Sequence, residues 1–559
     1  MEETENKTKY LYGASVQGIQ NFIFQTNKLK EIVGASELVE YICTTAFEKY
    51  AKAGESIIRA AGNIKCIFSN RKDCEEVVRN FPREVMNKAP GITISQAVVT
   101  LEADESDYAI QSNELEELLR AQRNKASRSM TLGLMAINRA PSTGLPAVVE
   151  QDGELIDAAS DKKIKQDQAT KKLIKKSFGK ELKHEEIAYN IEDITGKNDW
   201  IAVIHADGNG MGSIFQEVGK YKNDMKLISP AVNEITEYAA QQAFTSVEND
   251  FHETTDRNDF PGAPQENDFH EATRKSDFIK TSEEKNKGFF VIPIRPIVLG
   301  GDDLTLICRA DLAMKYVKTF LEKFEAASKG EEDREREQNN KAKLGLKHLK
   351  LENDSSKKAV EKGLTACAGI AFVKSSYPFH YAVHLAESLC KRAKTASKGL
   401  LNEKDTLPPS CLMFHKVQDS FVEDFKEIVQ RELTPPKTNL SFEYGPYYCG
   451  RRASEPQFNG KCNHTVKELI RKVGELKEKK AKGVKANLRQ WLSLLFDDVE
   501  FANQKMKRMR EISDFASKFV EEDYESLKVD TKNKTLIPFH DILALSSIEI
   551  ITKTKEGKK

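Results

Sequence analysis

Between positions 199 and 373 the chain alternates strand-like and helix-like hydrophobic runs in a single order, and that order leaves little freedom of fold. A short apolar run at 199–206 (DWIAVIHA) fits a buried strand. Residues 230–247 carry Val232, Ile235, Tyr238, Ala239 and Ala243 at helical spacing. Two β-rich runs, 289–299 and 304–308, flank Gly300-Gly301-Asp302-Asp303, which reads as a hairpin turn. A helix over 311–327 and a strand over 365–373 (TACAGIAFV) complete the series. The order β-α-β-β-α-β is that of a ferredoxin-like unit.

This topology constrains where acidic residues meet. A right-handed β-α-β crossover makes the first two strands parallel, so their C-terminal ends share one edge. The first ends at Asp207 and the second at the Gly-Gly-Asp-Asp turn, which predicts that Asp207, Asp302 and Asp303 converge. Carboxylates at close range cannot all stay ionised without cations. Oxygen-preferring divalent ions, Mg2+ or Mn2+, are the expected answer. Two such ions ~3.5–4 Å apart would clamp the attacking and leaving oxygens of a phosphoryl transfer. Gly300 and Gly301 permit positive φ and close approach of triphosphate oxygens. Gly208, Asn209 and Gly210 form the flexible turn that a phosphate-facing loop would use. Alone, the four-residue turn is compatible with an ordinary polar hairpin, and Asp207 with a helix cap. Their combination in this order points to a metal site. The amphipathic stretch 381–394 (YAVHLAESLCKRAK) would span the sheet at ~1.5 Å per residue and return Lys394 to the acidic edge, facing phosphates. The plain alternative for Lys394 is a solvated helix end.

The N-terminal region repeats the order, with strands at 9–16, 56–61, 64–69 and 91–101 and helices at 29–51 and 72–87. Its hairpin reads Ala60-Ala61-Gly62-Asn63, without acids, so this copy is expected to face the active one rather than hold metals. The polar, Lys-rich stretch 126–190 reads as a helical linker. Charged insertions fall near 249–288 and 329–362, where added loop length costs little. The first contains a near-repeat of period 18 (NDFHETTDRNDF, NDFHEATRKSDF), better read as a charged surface than as a metal site of His252 and His270. Beyond a strand at 411–417 the chain reads as helical, over 420–433 and 464–526. The expected fold is α+β, with a first ferredoxin-like domain at 1–125, a linker at 126–195, a second such domain at 196–418 and a helical domain at 419–559.

Composition narrows the partners. Lys+Arg and Asp+Glu are both 86, so there is no overall basic surplus for gripping nucleic acid. The basic stretch at 479–489 (KKAKGVKANLR) reads first as a solvated helix face, with RNA contact the alternative. The polar start argues against a signal peptide, and no apolar run reaches the ~18 residues of a membrane span. The nine cysteines contain no C-x-x-C pair and mostly sit in apolar runs, as reduced, buried thiols of a cytoplasmic protein would. Cys449, Cys462 and His464 match no standard metal spacing, and His540-Asp541 reads as part of a capped helix.

The motifs A-S-V-Q-G-I-Q-N-F-I-F at 14–24, E-I-V-G-A-S-E-L-V at 31–39, A-D-G-N-G-M-G at 206–212 and L-G-G-D-D-L-T at 299–305 carry a family resemblance, together with A-C-A-G-I-A-F-V-K and A-E-S-L-C-K-R-A-K within 366–394. Over roughly 8–415 the chain resembles the large palm-containing, polymerase/cyclase-like subunit of type III CRISPR (Csm/Cmr) effector complexes. The second ferredoxin-like unit is also similar to GGDEF-type diguanylate cyclases. The resemblance implies two palm domains and conversion of ATP into cyclic oligoadenylate messengers in antiviral defence. It implies catalytic metals on Asp207, Asp302 and Asp303, with Gln17, Gly34 and Ser36 of the first palm near a paired nucleotide. Other effector subunits and guide and target RNA are the implied partners. The chain departs from the family in starting almost at the first palm, without the HD nuclease domain, so DNA cleavage is not expected. It has no cysteine in 126–190 for a zinc site, and it places Asn209 where relatives commonly have Asp. Two other readings remain: a non-catalytic scaffold subunit of an RNA-guided complex, and a cyclic dinucleotide synthase.

Overall fold

A computed structural model describes residues 8–548 except 61, 103, 126–135, 152, 170, 196–198, 256–290, 337–339, 403–404, 406, 419–423, 437, 482 and 521–534. Most of the near-repeat, including His270, and the basic tail lie outside the described residues.

The first sheet comprises β1 (Lys9–Gln17), β2 (Gly54–Ala60), β3 (Asn63–Phe68) and β4 (Thr93–Leu101), in the order β2-β3-β1-β4. Every pairing is antiparallel, as a ferredoxin-like unit requires. Helices α1 (Leu29–Tyr41) and α2 (Arg71–Lys88) are its two crossovers. The expected helix over 29–51 is split, because α1 passes into a π-helical turn at Ile42–Ala46. β1 is buried along most of its length and sits between two layers. Tyr12 stacks on Phe47 at 5.9 Å, while Leu115 of α3 (Tyr108–Arg123) packs on Gly13 from the opposite face. The Lys-rich linker is not purely helical. It begins with a hairpin, β5 (Ala147–Gln151) and β6 (Glu154–Asp157), before helices α4 (Ala158–Ala169) and α5 (Lys172–Phe178).

The second sheet is built from β7 (Trp200–Gly208), β8 (Ile294–Gly300), β9 (Asp303–Arg309), β10 (Ala366–Lys374), β11 (Cys411–Lys416) and the short β12 (Tyr447–Tyr448). The order is β12-β11-β10-β7-β9-β8. β7 and β8 both run antiparallel to the intervening β9, so they are parallel to each other and end at one edge. Their crossover contains α6 (Met211–Val218) and α7 (Lys222–Thr255). α7 starts eight residues before the expected 230, leaving Pro230 inside the helix. α8 (Ala313–Ser328) links β9 to β10. β11 lies parallel to β10 in the same sheet, reached through α9 (Phe379–Lys398). α9 seats tightly because residue 369 is glycine: a Cβ there would lie 1.9 Å from the Ala386 carbonyl oxygen.

The C-terminal part contains α10 (Phe425–Arg431), α11 (Val466–Glu475), α12 (Val484–Asp497), α13 (Val499–Ile512), α14 (Asp514–Phe519) and α15 (Phe539–Ser546). Trp491 of α12 is fully buried and meets Phe539 edge-on at 5.9 Å. Asp541 accepts the Tyr447 hydroxyl at 2.7 Å, and the His540 ring lies parallel to those of Phe442 and His415. All nine cysteines are free and buried. Among the described residues no helix is long and apolar enough to cross a membrane.

Candidate active site

Asp207 lies in the last turn of pleat of β7, and Asp302 and Asp303 at the β8–β9 hairpin. One carboxylate oxygen from each lies within 4.8 Å of the others. Among the described residues this is the one group of three or more acidic, histidine or cysteine side chains close enough to share a metal ion. Residues almost a hundred positions apart thus meet because two parallel strands end at one edge.

The crowding is visible in the acidities. Burial, then the Asp207 charge, pushes Asp302 up to about 7. Burial, then the charges of Asp302 and Asp207, holds Asp303 well above the ordinary carboxylate range. Lys394 supplies the nearby positive charge. Its ammonium pairs with Asp207 and donates to the Gly208 carbonyl at 2.8 Å. Lys394 therefore reaches the acidic edge, as the amphipathic spacing of α9 predicts, but its partner here is a carboxylate.

The turn is fixed from behind by α7, a support that was not apparent in the sequence. Thr236, fully buried, donates its hydroxyl to the Gly301 carbonyl at 2.7 Å. The Gly301 amide donates to the Asn233 side-chain oxygen at 3.2 Å. Gly301 takes positive φ, 63°, as does Gly210 at the start of α6, 71°. Gly208 sits directly against Asp302. Asn209 does not join this loop's open face. It is buried, and its amide donates to the Thr365 hydroxyl at 3.0 Å while its backbone amide donates to the Thr365 carbonyl. Its polar group is satisfied inside the protein, so a nucleotide contact from this side chain is not supported by the geometry.

A cavity of about 260 Å³ separates the two ferredoxin-like units next to this edge. Gly300, Asp303, His205 and Thr305 line one wall, and Ser36, Glu37 and Glu40 of α1 the other. His205 hydrogen-bonds Thr305 at 3.0 Å, and burial lowers its pKa. An adjoining cleft of about 1330 Å³ is lined by Gln17, Phe22, Tyr377 and His384, among others. Gln20 and Glu387 line both spaces and are joined by a 2.6 Å hydrogen bond. Ser36 therefore faces the space beside Asp303, Gln17 lies in the outer cleft, and Gly34 is buried within α1. At the equivalent turn of the first unit, Asn63 accepts the Ser15 hydroxyl at 3.0 Å.

Residues 200–402 match the family model of the Cas10/Cmr2 second palm domain. The chain contains a Cas10-like second palm domain. Its second unit has the cyclase-type nucleotidyltransferase fold. Similar solved structures extend the likeness to nearly the whole chain. The Csm1–Csm4 cassette in complex with pppApApA is 11% identical, with a TM-score of 0.52, over 97% of this chain and 70% of the other. The cassette in complex with cA4 is 11% identical, with a TM-score of 0.50, over 98% and 70%. The Csm1–Csm4 subcomplex in the type III-A CRISPR-Csm interference complex is 11% identical, with a TM-score of 0.50, over 97% and 70%. At this identity the likeness is one of fold. No curated protein matches the chain.

Proposed function

We propose that this chain is a metal-dependent nucleotidyltransferase that joins ATP into cyclic oligoadenylates within a type III CRISPR effector complex. The observation that carries the reading is the convergence of Asp207, Asp302 and Asp303 beside a cavity between two palms. Three hard oxygen donors with raised acidities fit Mg2+ or Mn2+, since a cation would relieve the repulsion that protonates them. When bound, two such ions supply Lewis acidity and charge neutralisation at the reacting phosphates.

The chain's own groups have separate roles in this reading. Asp207, Asp302 and Asp303 hold the ions. Asn233 and Thr236 fix the backbone of the turn that carries two of them. Lys394 balances charge at Asp207 and is placed to move onto a phosphate when a cation takes its partner. Gly300 and Ser36 face each other across the space that the nucleotides would occupy. The fold likeness to Csm1–Csm4 structures supports assembly with other effector subunits, and the proposed reading adds guide and target RNA as partners. Nine free, buried thiols support a reducing compartment such as the cytoplasm.

The Lys394–Asp207 pair favours a second reading, a scaffold in which the palm is kept for shape and lysine neutralises the acids. One experiment separates the two. The purified chain is incubated with Mg2+ or Mn2+ and each nucleoside triphosphate, with and without guide and target RNA, and products are resolved by mass spectrometry. Oligoadenylates from ATP that vanish in Asp302→Ala/Asp303→Ala support synthesis. Product formation that survives the double substitution rejects the site.

A further inference from the structure

The other end of the second sheet carries the opposite charge. Trp200 opens β7 and pairs in register with Lys374, the last residue of β10; Lys416 ends the adjacent β11. Seven residues along β7, at ~3.3 Å each, put this end roughly 23 Å from Asp207. The Lys416 and Lys374 ammonium groups lie 4.3 and 4.8 Å from the centre of the Trp200 ring. From the C-terminal helices, α12 adds Lys485 and Arg489, one turn apart on one face. Lys416 donates to the Ser547 hydroxyl and Lys485 to the Ser546 carbonyl at 2.7 Å, so both ammonium groups sit at the same end of α15. Within the basic stretch at 479–489, Lys479, Lys480 and Arg489 are solvent-exposed, while Lys485 is half-buried against α15.

These cations crowd one another. Burial, then Arg489, Lys374 and Lys485, pushes Lys416 down to about 8. Burial, Arg489 and Lys477 lower Lys485 as well. Among the described residues, no carboxylate forms an ion pair with Lys416, Lys485 or Arg489. The nearby Asp199 carboxylate accepts the Ser375 hydroxyl. Lys416 and Lys485 are half-buried, and like charges so placed destabilise a fold unless an anion neutralises them. The half-exposed Trp200 ring beside them adds a flat surface on which a base can stack.

We infer that Trp200, Lys374, Lys416, Lys485 and Arg489 form a binding subsite for the phosphodiester backbone of single-stranded nucleic acid. The cations take the phosphates and the ring takes a base. A free phosphate shares the backbone's chemistry but gains nothing from the ring; an acidic protein surface would need neither the ring nor this spacing.

The test titrates the full chain with a 12-nucleotide single-stranded RNA and reads tryptophan emission. The chain has two tryptophans, and fully buried Trp491 gives a constant background. Trp200 emission is expected to quench on binding, and Trp200→Phe to lose the signal. Lys416→Gln/Arg489→Gln is expected to weaken binding about tenfold. It should also lower the slope of log affinity against log salt by about 1.4, for two contacts at ~0.7 each on a single strand. Arg489 is exposed, so Arg489→Glu is expected to fold normally, checked by its melting temperature, and a similar loss there separates binding from misfolding. RNA affinity within twofold of the parent in both variants overturns the inference. So does quenching as complete with inorganic phosphate alone, or equal competition by polyglutamate.

Discussion

Replacing Gly208 with alanine tests how tightly the acidic edge is built. A Cβ at 208 would lie 2.8 Å from an Asp302 carboxylate oxygen and 2.7 Å from Met211 Cγ. Ordinary contact begins near 3.4 Å, so the carboxylate must retreat by about 0.6 Å. Met211 can rotate away. Asp302 has less freedom, because its turn is fastened to α7 through Thr236 and Asn233. The backbone itself is unstrained, since Gly208 is not at positive φ. Metal ligands tolerate displacements of about 0.2 Å. The expected loss of Mn2+ affinity is therefore ~10–100-fold, the range seen when groups that orient ligands are disturbed. Free Mn2+ measured by electron paramagnetic resonance during titration reads this directly, without nucleotide turnover. Gly212→Ala is the control: a Cβ there meets nothing within 4 Å, and alanine in α6 should be neutral or stabilise by up to ~1 kcal/mol. If Gly208→Ala binds Mn2+ within twofold of the parent while folding normally, Asp302 is not a metal ligand in this protein.

Lys394→Met removes the cation paired with Asp207, so the metal-free melting temperature at pH 8 should fall, and saturating Mn2+ should recover most of the difference. Thr236→Val leaves the Gly301 carbonyl without its hydroxyl partner and should cost ~1–3 kcal/mol in denaturant unfolding, with Thr236→Ser recovering most of it. Asp302 titrates near 7 when folded, against an unfolded value of ~3.9. Between roughly pH 4 and 7 the folded chain holds a proton that the unfolded chain has released, so metal-free stability should fall as pH rises through that window, with Asp303 acting in the same direction. Melting curves from pH 5 to 8 should show that decline, and Asp302→Asn should flatten it.

The features that sequence periodicity made legible are those set by local period and by topology. Strand and helix runs in a β-α-β-β-α-β order identify both units, and the parallel relation of β7 and β8 follows from that order. Convergence of the three aspartates needs nothing more. Lys394 was legible through the helical face of α9, although its pairing with Asp207 depends on the charge of the whole cluster. Contacts that depend on side-chain direction were hidden. Asn209 looks like a loop residue beside four glycines or small neighbours, yet its amide is turned inward to Thr365, 156 positions away. Asn233 and Thr236 were inconspicuous because each is an ordinary polar residue in an amphipathic helix. Their spacing of three puts both on one helix face, which is the signal that would have singled them out. Pro230 suggested a helix start by propensity, but buried Met225 and Ile228 extend α7 backwards beneath it. The β5 and β6 strands are only five and four residues long and mostly polar or exposed, so they carry little alternation to read.

The zero net charge argued against a grip on nucleic acid by this chain alone, but a sum says nothing about separation. Acids gather at one end of β7 and cations at the other, roughly 23 Å apart by strand length. At physiological ionic strength the Debye length is ~8 Å, so neither cluster neutralises the other across the exposed surface. In the proposed reading each takes its own counter-ion: divalent cations at Asp207, Asp302 and Asp303, and an anion at Lys416, Lys485 and Arg489. The two sites should then respond to magnesium in opposite ways. Added Mg2+ fills the acidic edge, while the same ion competes with lysine and arginine for phosphodiesters and weakens the basic end. On that reading a chain that is neutral overall binds cations and a polyanion at once, because the strands of one sheet hold the two charges apart.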